Sequence, residues 1–191
     1  MKLTQGSLSV TWRKAMFSAI LASLLGAVGI ATPPAARAAE PEARPAVSGQ
    51  LLNTRRCQTV VAKLQPGEAT SRIVSQDCAE PGEALPALSD TTRVLLVAFD
   101  EAGYKGLSNT YYGYEGACDP QGYGIADVGW AMDGKISSFD AHNNCVYVNG
   151  YTDTNYGGEC GEWYWSQSYV GDHFNDRLRS FRVRSAYYPC R

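Results

Sequence analysis

Two stretches of this chain repeat one pattern, and the repeat constrains the fold more than any other feature of the sequence. Phe99-Asp-Glu-Ala-Gly-Tyr104-Lys-Gly106 is followed 27 residues later by Asp133-Gly-Lys-Ile-Ser-Ser138. Tyr151-Thr-Asp-Thr-Asn-Tyr156-Gly-Gly158 is followed 17 residues later by Asn175-Asp-Arg-Leu-Arg-Ser180. Each half therefore has an aromatic-x4-aromatic-x-Gly corner and then a six-residue turn that ends in serine. Self-similarity at a spacing of about 40–50 residues predicts a repeated supersecondary unit.

The residue types in the repeat favour tight β structure. An aromatic residue at each end of a β-corner can pack over the bend. Gly106 and Gly158 supply a position of positive φ or close approach that a Cβ atom would obstruct. The serines and acidic residues of the turns favour turn conformations through local hydrogen bonds to the backbone. Each turn then leads into a strand with alternating side chains, so the pattern predicts an all-β domain.

These corners and turns resemble the βγ-crystallin superfamily, in which each Greek-key motif has such a corner and a turn of the pattern Asn/Asp-Asn/Asp-x-x-Ser/Thr-Ser. The resemblance extends from residue 93 to residue 185, which is about half of the chain. It implies two Greek-key motifs that form a compact β-sandwich. The secreted microbial branch of this superfamily includes small metalloprotease inhibitors and killer-toxin-like proteins. The resemblance therefore implies a non-enzymatic extracellular protein.

The first 38 residues have the features of a secretory signal peptide. A basic region that includes Lys2 and Lys14 precedes the apolar stretch Ala15–Ile30, and Ala36-Arg-Ala38 fits a signal-peptidase site. The apolar stretch has 16 residues, whereas a transmembrane helix needs about 20. We therefore expect a secreted protein with no membrane attachment after cleavage.

Cleavage of this segment would make the chain more acidic. It would remove four of 17 basic residues and none of the 19 acidic ones, so the net charge would change from −2 to −6. An acidic protein has little attraction for the phosphates of nucleic acid, and no nucleic-acid partner is expected. Arg177, Arg179, Arg182 and Arg184 nevertheless lie together. We interpret them as the charges of a solvated edge strand; the alternative is a basic stripe for an acidic partner or an anionic cell-wall polymer.

The six cysteines predict three disulfides, because their number is even and the chain is expected to be exported. Residues 57–64 and 71–78 flank the turn signal Gln65-Pro66-Gly67-Glu68. A hairpin centred on that turn places Cys57 opposite Cys78, within disulfide reach. We therefore predict a Cys57–Cys78 disulfide.

The other two disulfides are assigned from the two motifs. Cys118 lies in the long loop of the first motif, and Cys145 opens the second motif. A Cys118–Cys145 disulfide would attach that loop to the sheet. Cys160 and Cys190 then remain, and their disulfide would tie the second motif to the C-terminal tail.

The chain after the signal peptide divides into three parts. Residues 39–50 contain two prolines and a glycine and are interpreted as a flexible leader. Residues 51–86 contain the hairpin, which is either a module packed on the main domain or a pro-region removed on activation. Residues 93–191 form the βγ-crystallin-like domain, with motifs at about 93–142 and 145–185. The strands predicted in it are Arg93–Phe99, Thr110–Tyr114, Gly124–Val128, Lys135–Asp140, Cys145–Asn149, Glu162–Trp165 and Arg179–Val183.

The family resemblance also implies a candidate calcium site. In family members that bind Ca²⁺, a site takes the third-position carbonyl and the fifth-position hydroxyl of one turn, with the second-position acid or amide of the other. Here the first set is complete, with the Lys135 carbonyl, the Ser137 hydroxyl and the Asp176 carboxylate. The second would place Arg179 and Gly134 where oxygen ligands are needed. We predict no required cofactor and at most one weakly bound Ca²⁺; alternatively, both turns are only structural caps.

The sequence offers little support for an enzyme. The spacing His142-x2-Cys145 could hold zinc, but a disulfide is the better interpretation of that cysteine. Asp172-His173 has no accompanying Gly-x-Ser-x-Gly elbow. Glu159 and Glu162 are candidates for a glycosidase pair only by proximity in sequence. No phosphate-binding loop, His-Glu-x2-His motif or dinucleotide fingerprint is present. We predict a non-enzymatic protein.

One functional hypothesis rests on the loop at residues 115–123. Cys118 would anchor this loop and Pro120, after Asp119, would stiffen it, while Tyr123 would offer an anchoring side chain. A rigid exposed loop loses little entropy on binding, as inhibition of a secreted protease requires. The alternative is an ordinary loop that links the strands of the motif.

A second hypothesis rests on the aromatic run Trp163-Tyr164-Trp165. Strand alternation predicts that Trp163 and Trp165 share one face and that Tyr164 points to the other. An exposed aromatic face beside the tyrosines at 111, 112 and 114 could stack on sugars. The chain would then be a glycan-binding, cell-wall-binding or toxin-like module, or a Ca²⁺-stabilised structural one. In either hypothesis we expect a monomer.

Overall fold

The computed structural model describes residues 54–190, which form nine β-strands. The strands are β1 (Arg56–Val61), β2 (Ile73–Ala79), β3 (Arg93–Glu101), β4 (Lys105–Gly113), β5 (Tyr123–Ile125), β6 (Ser138–Ala141), β7 (Tyr147–Tyr151), β8 (Cys160–Tyr164) and β9 (Ser180–Arg184). A single 3-10 turn, Thr154–Tyr156, is the only helical element in this range. None of the described residues belongs to a helix long and apolar enough to cross a membrane. The predicted signal peptide (1–38) and leader (39–50) lie outside the described residues.

The strands form two sheets that exchange segments. The first sheet has the order β2-β1-β4-β3-β6 and the second has the order β5-β9-β7-β8. β5 comes from the first half of the domain but pairs with β9 of the second half. In return, Gln167 of the second half bridges to Phe139 in β6. In each half the last strand lies beside the first, β6 beside β3 and β9 beside β7, which is Greek-key topology. The predicted all-β sandwich is confirmed.

The hydrophobic core lies between the two sheets. Inward side chains of β6, β8 and β9 meet at its centre, where the Phe139 ring is 5.5 Å from the Trp163 ring and 5.9 Å from the Phe181 ring. The largest fully buried side chains are Tyr111, Tyr123, Phe139, Phe181, Leu95, Leu96, Met132, Ile136, Leu178, Val61, Val128 and Val148. Members come from both motifs and from β1, so the halves and the N-terminal hairpin share one core.

The repeated corner has the same geometry twice. The rings of Phe99 and Tyr104 pack edge to face with centroids 5.9 Å apart, and those of Tyr151 and Tyr156 do so at 5.7 Å. Gly106 has φ +79°, and a Cβ atom there would lie 2.0 Å from a carboxylate oxygen. The glycine of the pattern is therefore required both by conformation and by space.

The last serine of each turn ties that turn to its corner. The Ser138 hydroxyl donates to the Glu101 carbonyl at 2.6 Å and accepts from the Tyr104 amide at 3.1 Å. The Ser180 hydroxyl repeats this arrangement, donating to the Asp153 carbonyl at 2.7 Å and accepting from the second tyrosine of its corner at 3.1 Å. Both serine side chains are completely buried. This tie explains why corner and turn occur together in the sequence.

The N-terminal hairpin is part of the first sheet. β1 and β2 are antiparallel with Cys57 opposite Cys78, and β1 also runs parallel to β4 over six residue pairs. The buried Thr59 hydroxyl and the Asn109 side chain on β4 are in hydrogen-bond contact at 3.1 Å. Removal of this segment as a pro-region would leave the β4 edge without its partner strand and open the core beside Val61.

The structure contains three disulfides, Cys57–Cys78, Cys118–Cys145 and Cys160–Cys190. These are the pairs proposed from the sequence. All seven predicted strands have different limits in the structure, and two of them illustrate the differences. The predicted Lys135–Asp140 strand begins only at Ser138 because the preceding residues remain in the turn, and the predicted Thr110–Tyr114 strand is the end of the longer β4.

The interpretation of the arginine-rich segment as an edge strand is wrong. β9 lies between β5 and β7, because β5 crosses over from the first motif. Arg182 and Arg184 are in this interior strand, and Arg184 is only 7% exposed. Arg177 and Arg179 precede β9 and lie in the turn.

We predict that Ser180→Ala lowers the free energy of unfolding of the oxidised protein by about 1–2 kcal/mol. The substitution removes two hydrogen bonds and leaves the corner amide and carbonyl without their buried partner. Urea unfolding measures the change. The exposed Ser168 is the matched control, and Ser168→Ala should stay within about 0.5 kcal/mol of the parent. Equal effects of the two substitutions would contradict the proposed tie.

Candidate functional site

The two turns that carry the predicted calcium ligands face each other. Ser137 Oγ lies 3.4 Å from Asp176 Oδ1 and donates to the Asp100 carbonyl at 2.9 Å. The Asp176 amide donates to the Ile136 carbonyl at 3.2 Å, and Asp176 has φ +58°. Lys135, whose carbonyl is the third predicted ligand, is in the same turn as Ser137. Two of the three predicted ligand groups are therefore brought together directly.

The residues of this first position fit a hard cation. Ca²⁺ binds oxygen ligands at about 2.3–2.6 Å, so two oxygens that are 3.4 Å apart can share one ion. Asp100, whose carbonyl contacts Ser137, also has a buried Oδ1 without a hydrogen-bond partner among the described residues. Burial raises the pKa of the Asp100 carboxyl.

The second position does not fit a cation. Arg179 takes the place of the fifth-position hydroxyl, and its Nε lies 3.0 Å from Asp133 Oδ1 in the opposite turn. A guanidinium group cannot ligate a metal ion. The Arg179 side chain therefore places its own positive charge where the second cation would otherwise bind.

The loop at residues 115–122 is held from several sides. Cys118 is bonded to Cys145, and the Asp119 carboxylate pairs with Lys63 at 2.9 Å. Asp119 Oδ1 accepts from the amides of Gln121 at 3.0 Å and of the next glycine at 2.8 Å. Burial acts to raise the pKa of Asp119, but the glycine amide and the Lys63 ammonium lower it overall. Pro120 and Gln121 are exposed at the tip of this ordered loop.

The prediction that Tyr123 is an exposed anchor of this loop is wrong. Tyr123 begins β5 with its side chain directed into the core, where it is fully buried. Its hydroxyl donates to the Gly116 carbonyl at 2.8 Å, and burial raises its pKa to about 12. Tyr123 therefore supports the loop from inside, and the exposed residues of the loop are Glu115, Ala117, Pro120 and Gln121.

The predicted aromatic face of Trp163 and Trp165 is also wrong. Trp163 points inward and packs edge to face on Phe174 at 5.2 Å. Trp165 follows the end of β8 and has φ +67°, so strand alternation stops before it. Tyr111, expected beside the exposed face, is fully buried and donates its hydroxyl to the Val128 carbonyl at 2.7 Å.

The exposed aromatic surface lies instead on the outer face of the second sheet. Tyr164 on β8 faces Tyr147 on β7 in the strand register, with ring centroids 5.2 Å apart. The Tyr187 ring lies 5.8 Å from Tyr147, and the Trp165 ring lies 6.4 Å from Tyr164. Tyr164 and Tyr187 are each 61% exposed.

Three of these rings, those of Tyr147, Tyr164 and Tyr187, line a depression that we call the aromatic groove. It has a volume of about 180 Å³. The residues lining it are Tyr147, Val148, Asn149, Glu162, Trp163, Tyr164, Tyr187 and Tyr188. The Glu162 carboxylate at its side accepts a hydrogen bond from the Tyr187 hydroxyl at 3.1 Å, and this bond raises the pKa of Tyr187. The groove thus combines exposed ring faces with a carboxylate.

Five of the eight lining residues of the groove were missed from the sequence: Tyr147, Val148, Asn149, Tyr187 and Tyr188. Tyr147 belongs to it because the β7–β8 register places it opposite Tyr164. Tyr187 belongs to it because the C-terminal tail lies against the sheet, where the Cys160–Cys190 disulfide holds it. The predicted Cys160–Cys190 disulfide was the sequence signal that pointed to the position of the tail.

The titratable residues considered for catalysis form separate surface pairs. His142 pairs with Asp140 at 3.0 Å, and His173 pairs with Glu159 at 3.2 Å. Glu162 contacts Tyr187 rather than Glu159. Within residues 54–190, no group of three or more histidine, cysteine, aspartate or glutamate side chains is arranged to hold a metal ion.

Similar solved structures are βγ-crystallin domains. A domain from Clostridium beijerinckii is 16% identical and covers 48% of this chain and 99% of its own, with a TM-score of 0.38. A domain from Flavobacterium johnsoniae is 20% identical, covers 50% of this chain and 99% of its own, and has a TM-score of 0.37. A βγ-crystallin from an archaeon is 18% identical, covers 47% of this chain and 96% of its own, and has a TM-score of 0.36.

No protein-family model and no curated protein matches the chain. The strand exchange and the two corner-and-turn units define the fold of this chain.

Proposed function

We propose that this protein is a secreted, non-enzymatic binding module of the βγ-crystallin type and that its ligand is a carbohydrate. The observation that supports this proposal is the aromatic groove. Tyr164 and Tyr187 in the groove, and Trp165 next to Tyr164, expose large ring surfaces close together. Soluble proteins rarely expose clustered apolar surface without a binding role.

The chemistry of the groove suits sugar rings. Tyrosine combines a flat apolar face with a hydroxyl group, so it can stack on the C–H face of a sugar and hydrogen bond at its edge. Glu162 accepts a hydrogen bond from Tyr187 and retains lone pairs for a sugar hydroxyl. Asn149 lies on the floor of the groove, and its amide is fixed by a hydrogen bond to the Tyr188 carbonyl at 3.1 Å.

The extracellular part of the proposal rests on the disulfides and the N-terminal sequence. All six cysteines are in disulfides, which persist in oxidising compartments. The signal-peptide pattern at residues 1–38 would direct export of the chain to such a compartment.

Inhibition of a secreted protease is the second candidate function. The observation in its favour is the fixed loop at residues 115–122, which presents Pro120 and Gln121 to solvent while Cys118 and Asp119 are bonded beneath them. A loop that is already ordered loses little entropy in a protease cleft.

We further propose that one Ca²⁺ ion binds weakly between the turns. Ser137 and Asp176 would supply side-chain oxygens, and Lys135 would supply its carbonyl. When bound, the ion would join the two turns and so stabilise the contact between the motifs. Affinities of about 10⁻⁴–10⁻³ M are typical of extracellular calcium modules.

We predict that Tyr164→Ala and Tyr187→Ala each weaken binding of a matching oligosaccharide about 5- to 30-fold, which corresponds to about 1–2 kcal/mol. Screening the oxidised protein on a glycan array identifies the oligosaccharide, and calorimetry measures its affinity. Trp130→Ala is the matched control, because Trp130 is a 65% exposed aromatic residue outside the groove. Failure to bind any glycan, or equal losses in all three variants, would contradict the proposal.

If the loop inhibits proteases, Pro120→Gly should weaken inhibition at least about tenfold, because the loop then loses entropy on binding. The measurement is titration against a panel of secreted metalloproteases and serine proteases, with Trp130→Ala as the control. The absence of inhibition of every protease at micromolar concentration would exclude this function.

We predict that Ca²⁺ at 100 times its Kd raises the free energy of unfolding by about 2.7 kcal/mol, which thermal unfolding shows as a shift of several degrees relative to EDTA. Ser137→Arg should abolish the shift. Arg179 occupies the equivalent position of the other turn, and the unfolding transition itself shows whether the variant is folded. Ser168→Arg, the same change on an exposed loop, should retain the shift. Equal shifts in both variants would place the ion elsewhere, and no shift in the parent would exclude the site.

A further inference from the structure

Two arginines on the outer face of the second sheet have no acidic partner among residues 54–190. Arg182 and Arg184 are two positions apart on β9, and the alternating residues Phe181 and Val183 are in the core. Both arginine side chains therefore project from the outer face. Neither forms an ion pair with a described carboxylate. Arg177 and Arg179 in the preceding turn, by contrast, each pair with one.

Both guanidinium groups contain a buried donor without a hydrogen-bond partner in the described part of the chain. These donors are Arg182 Nε and Arg184 Nη1. Arg184 is 93% buried, with an exposed fraction of 7%, and its Nε donates to the Gln121 carbonyl at 3.1 Å. Burial, followed by the positive charge of Arg182, lowers the pKa of Arg184. A buried charge with an unpaired donor is unfavourable, so the arrangement indicates a binding position for an anionic group.

Tyrosine rings fix the orientation of both guanidinium groups. Arg182 Cζ lies 4.0 Å from the centroid of the Tyr156 ring, and Arg184 Cζ lies 4.0 Å from the centroid of the Tyr188 ring. A guanidinium group stacked on a ring keeps its N–H groups in the plane, where they can bind an oxyanion at two points.

A cleft of about 290 Å³ opens beside these stacked pairs. We call it the arginine cleft, and it is lined by Tyr151, Asn155, Tyr156, Arg182 and Tyr188. Arg184 packs on Tyr188 at its side. The cleft has no aspartate or glutamate among its lining residues.

The arginine cleft is next to the aromatic groove on the same sheet face. Tyr188 lines both depressions. In the strand register Arg182 is opposite Asn149, and Asn149 is opposite Glu162 of the groove. A ligand that fills the groove with sugar rings can therefore place a negative group in the cleft.

We propose that the arginine cleft binds an oxyanion, a phosphate or a carboxylate, carried by an acidic glycan whose sugar rings lie in the aromatic groove. The identity of the ligand as a glycan rests on the proposed function. The oxyanion site itself rests on Arg182, Arg184 and their two tyrosines and is tested separately.

The first experiment titrates the oxidised protein with inorganic phosphate at constant ionic strength and follows the Nε–H signals of the arginine side chains by NMR. We expect a saturable shift for Arg182 and none for Arg177, which pairs with Glu159. Arg182→Gln should weaken phosphate binding at least about tenfold, and Arg182→Lys should also weaken it because the planar fork is lost. Arg177→Gln has the same change of charge and should bind phosphate as the parent does.

Thermal unfolding of each variant checks that it is folded, and the result does not depend on an Arg184 variant. Shifts that do not saturate, or equal shifts at Arg177 and Arg182, would overturn the oxyanion site. A parallel titration with acetate compares a carboxylate with phosphate as the preferred group.

The second experiment compares a neutral oligosaccharide, a uronic-acid oligosaccharide and a sugar-phosphate polymer. We expect the parent to prefer one of the acidic glycans, Arg182→Gln to remove that preference, and Tyr164→Ala to weaken all glycans. Equal binding of neutral and acidic glycans by the parent would overturn this inference and leave the proposed function in place. Binding of phosphate at Arg182 without binding of any glycan would overturn the assignment of a glycan.

Discussion

The exchange of strands between the two motifs is the constraint on which the rest of this structure depends. β5 pairs with β9, and the segment around Gln167 bridges to β6, so neither half can complete its sheet without the other. The buried serines Ser138 and Ser180 then tie each turn to its own corner. With sheets and corners fixed in this way, the two turns must face each other, which brings Ser137 to Asp176 and Arg179 to Asp133.

The same exchange determines the outer face of the second sheet. Because β5 occupies the edge, the arginines of β9 lie over an interior strand, where the corner tyrosine and the C-terminal tail cover them. A charged side chain on a free edge would be solvated and would need no partner. In its actual position Arg184 is nearly inaccessible to solvent, so its charge must be balanced locally. In the sequence, Arg182 and Arg184 resemble surface charges that keep an edge strand soluble. In the fold, they are candidate binding residues.

Much of the fold follows from the sequence because its signals are local. The corner, the turn and the hairpin around Pro66-Gly67 each occupy a few adjacent residues, and they fix the motifs and the Cys57–Cys78 register. The errors concern side chains whose environment depends on distant segments. Tyr123 is buried because β5 joins the other motif, and Trp165 leaves the strand pattern because its backbone has positive φ.

The candidate sites show the same difference between local sequence signals and contacts made by distant segments. The proximity of Ser137 and Asp176 could be predicted from the paired turns alone, since each residue occupies a fixed position of a repeated motif. The aromatic groove could not, because Tyr187 reaches it only through a tail that a disulfide holds against the sheet. Alternation within one strand predicts which face of the sheet a residue occupies. It does not predict whether a later segment of the chain, such as the C-terminal tail, packs on that face.

The two turns also show how one repeated motif can acquire two different roles. At one position the chain presents oxygen atoms from Ser137 and Asp176, whereas at the other Arg179 supplies a cation that is covalently part of the chain. The Arg179–Asp133 pair is about half exposed, so it contributes at most about 1 kcal/mol. Its advantage over a bound ion is that it requires no calcium in the surroundings. Three disulfides already restrict the unfolded chain, so a Ca²⁺ ion at the first position would add to a contact between the motifs that the strand exchange already makes.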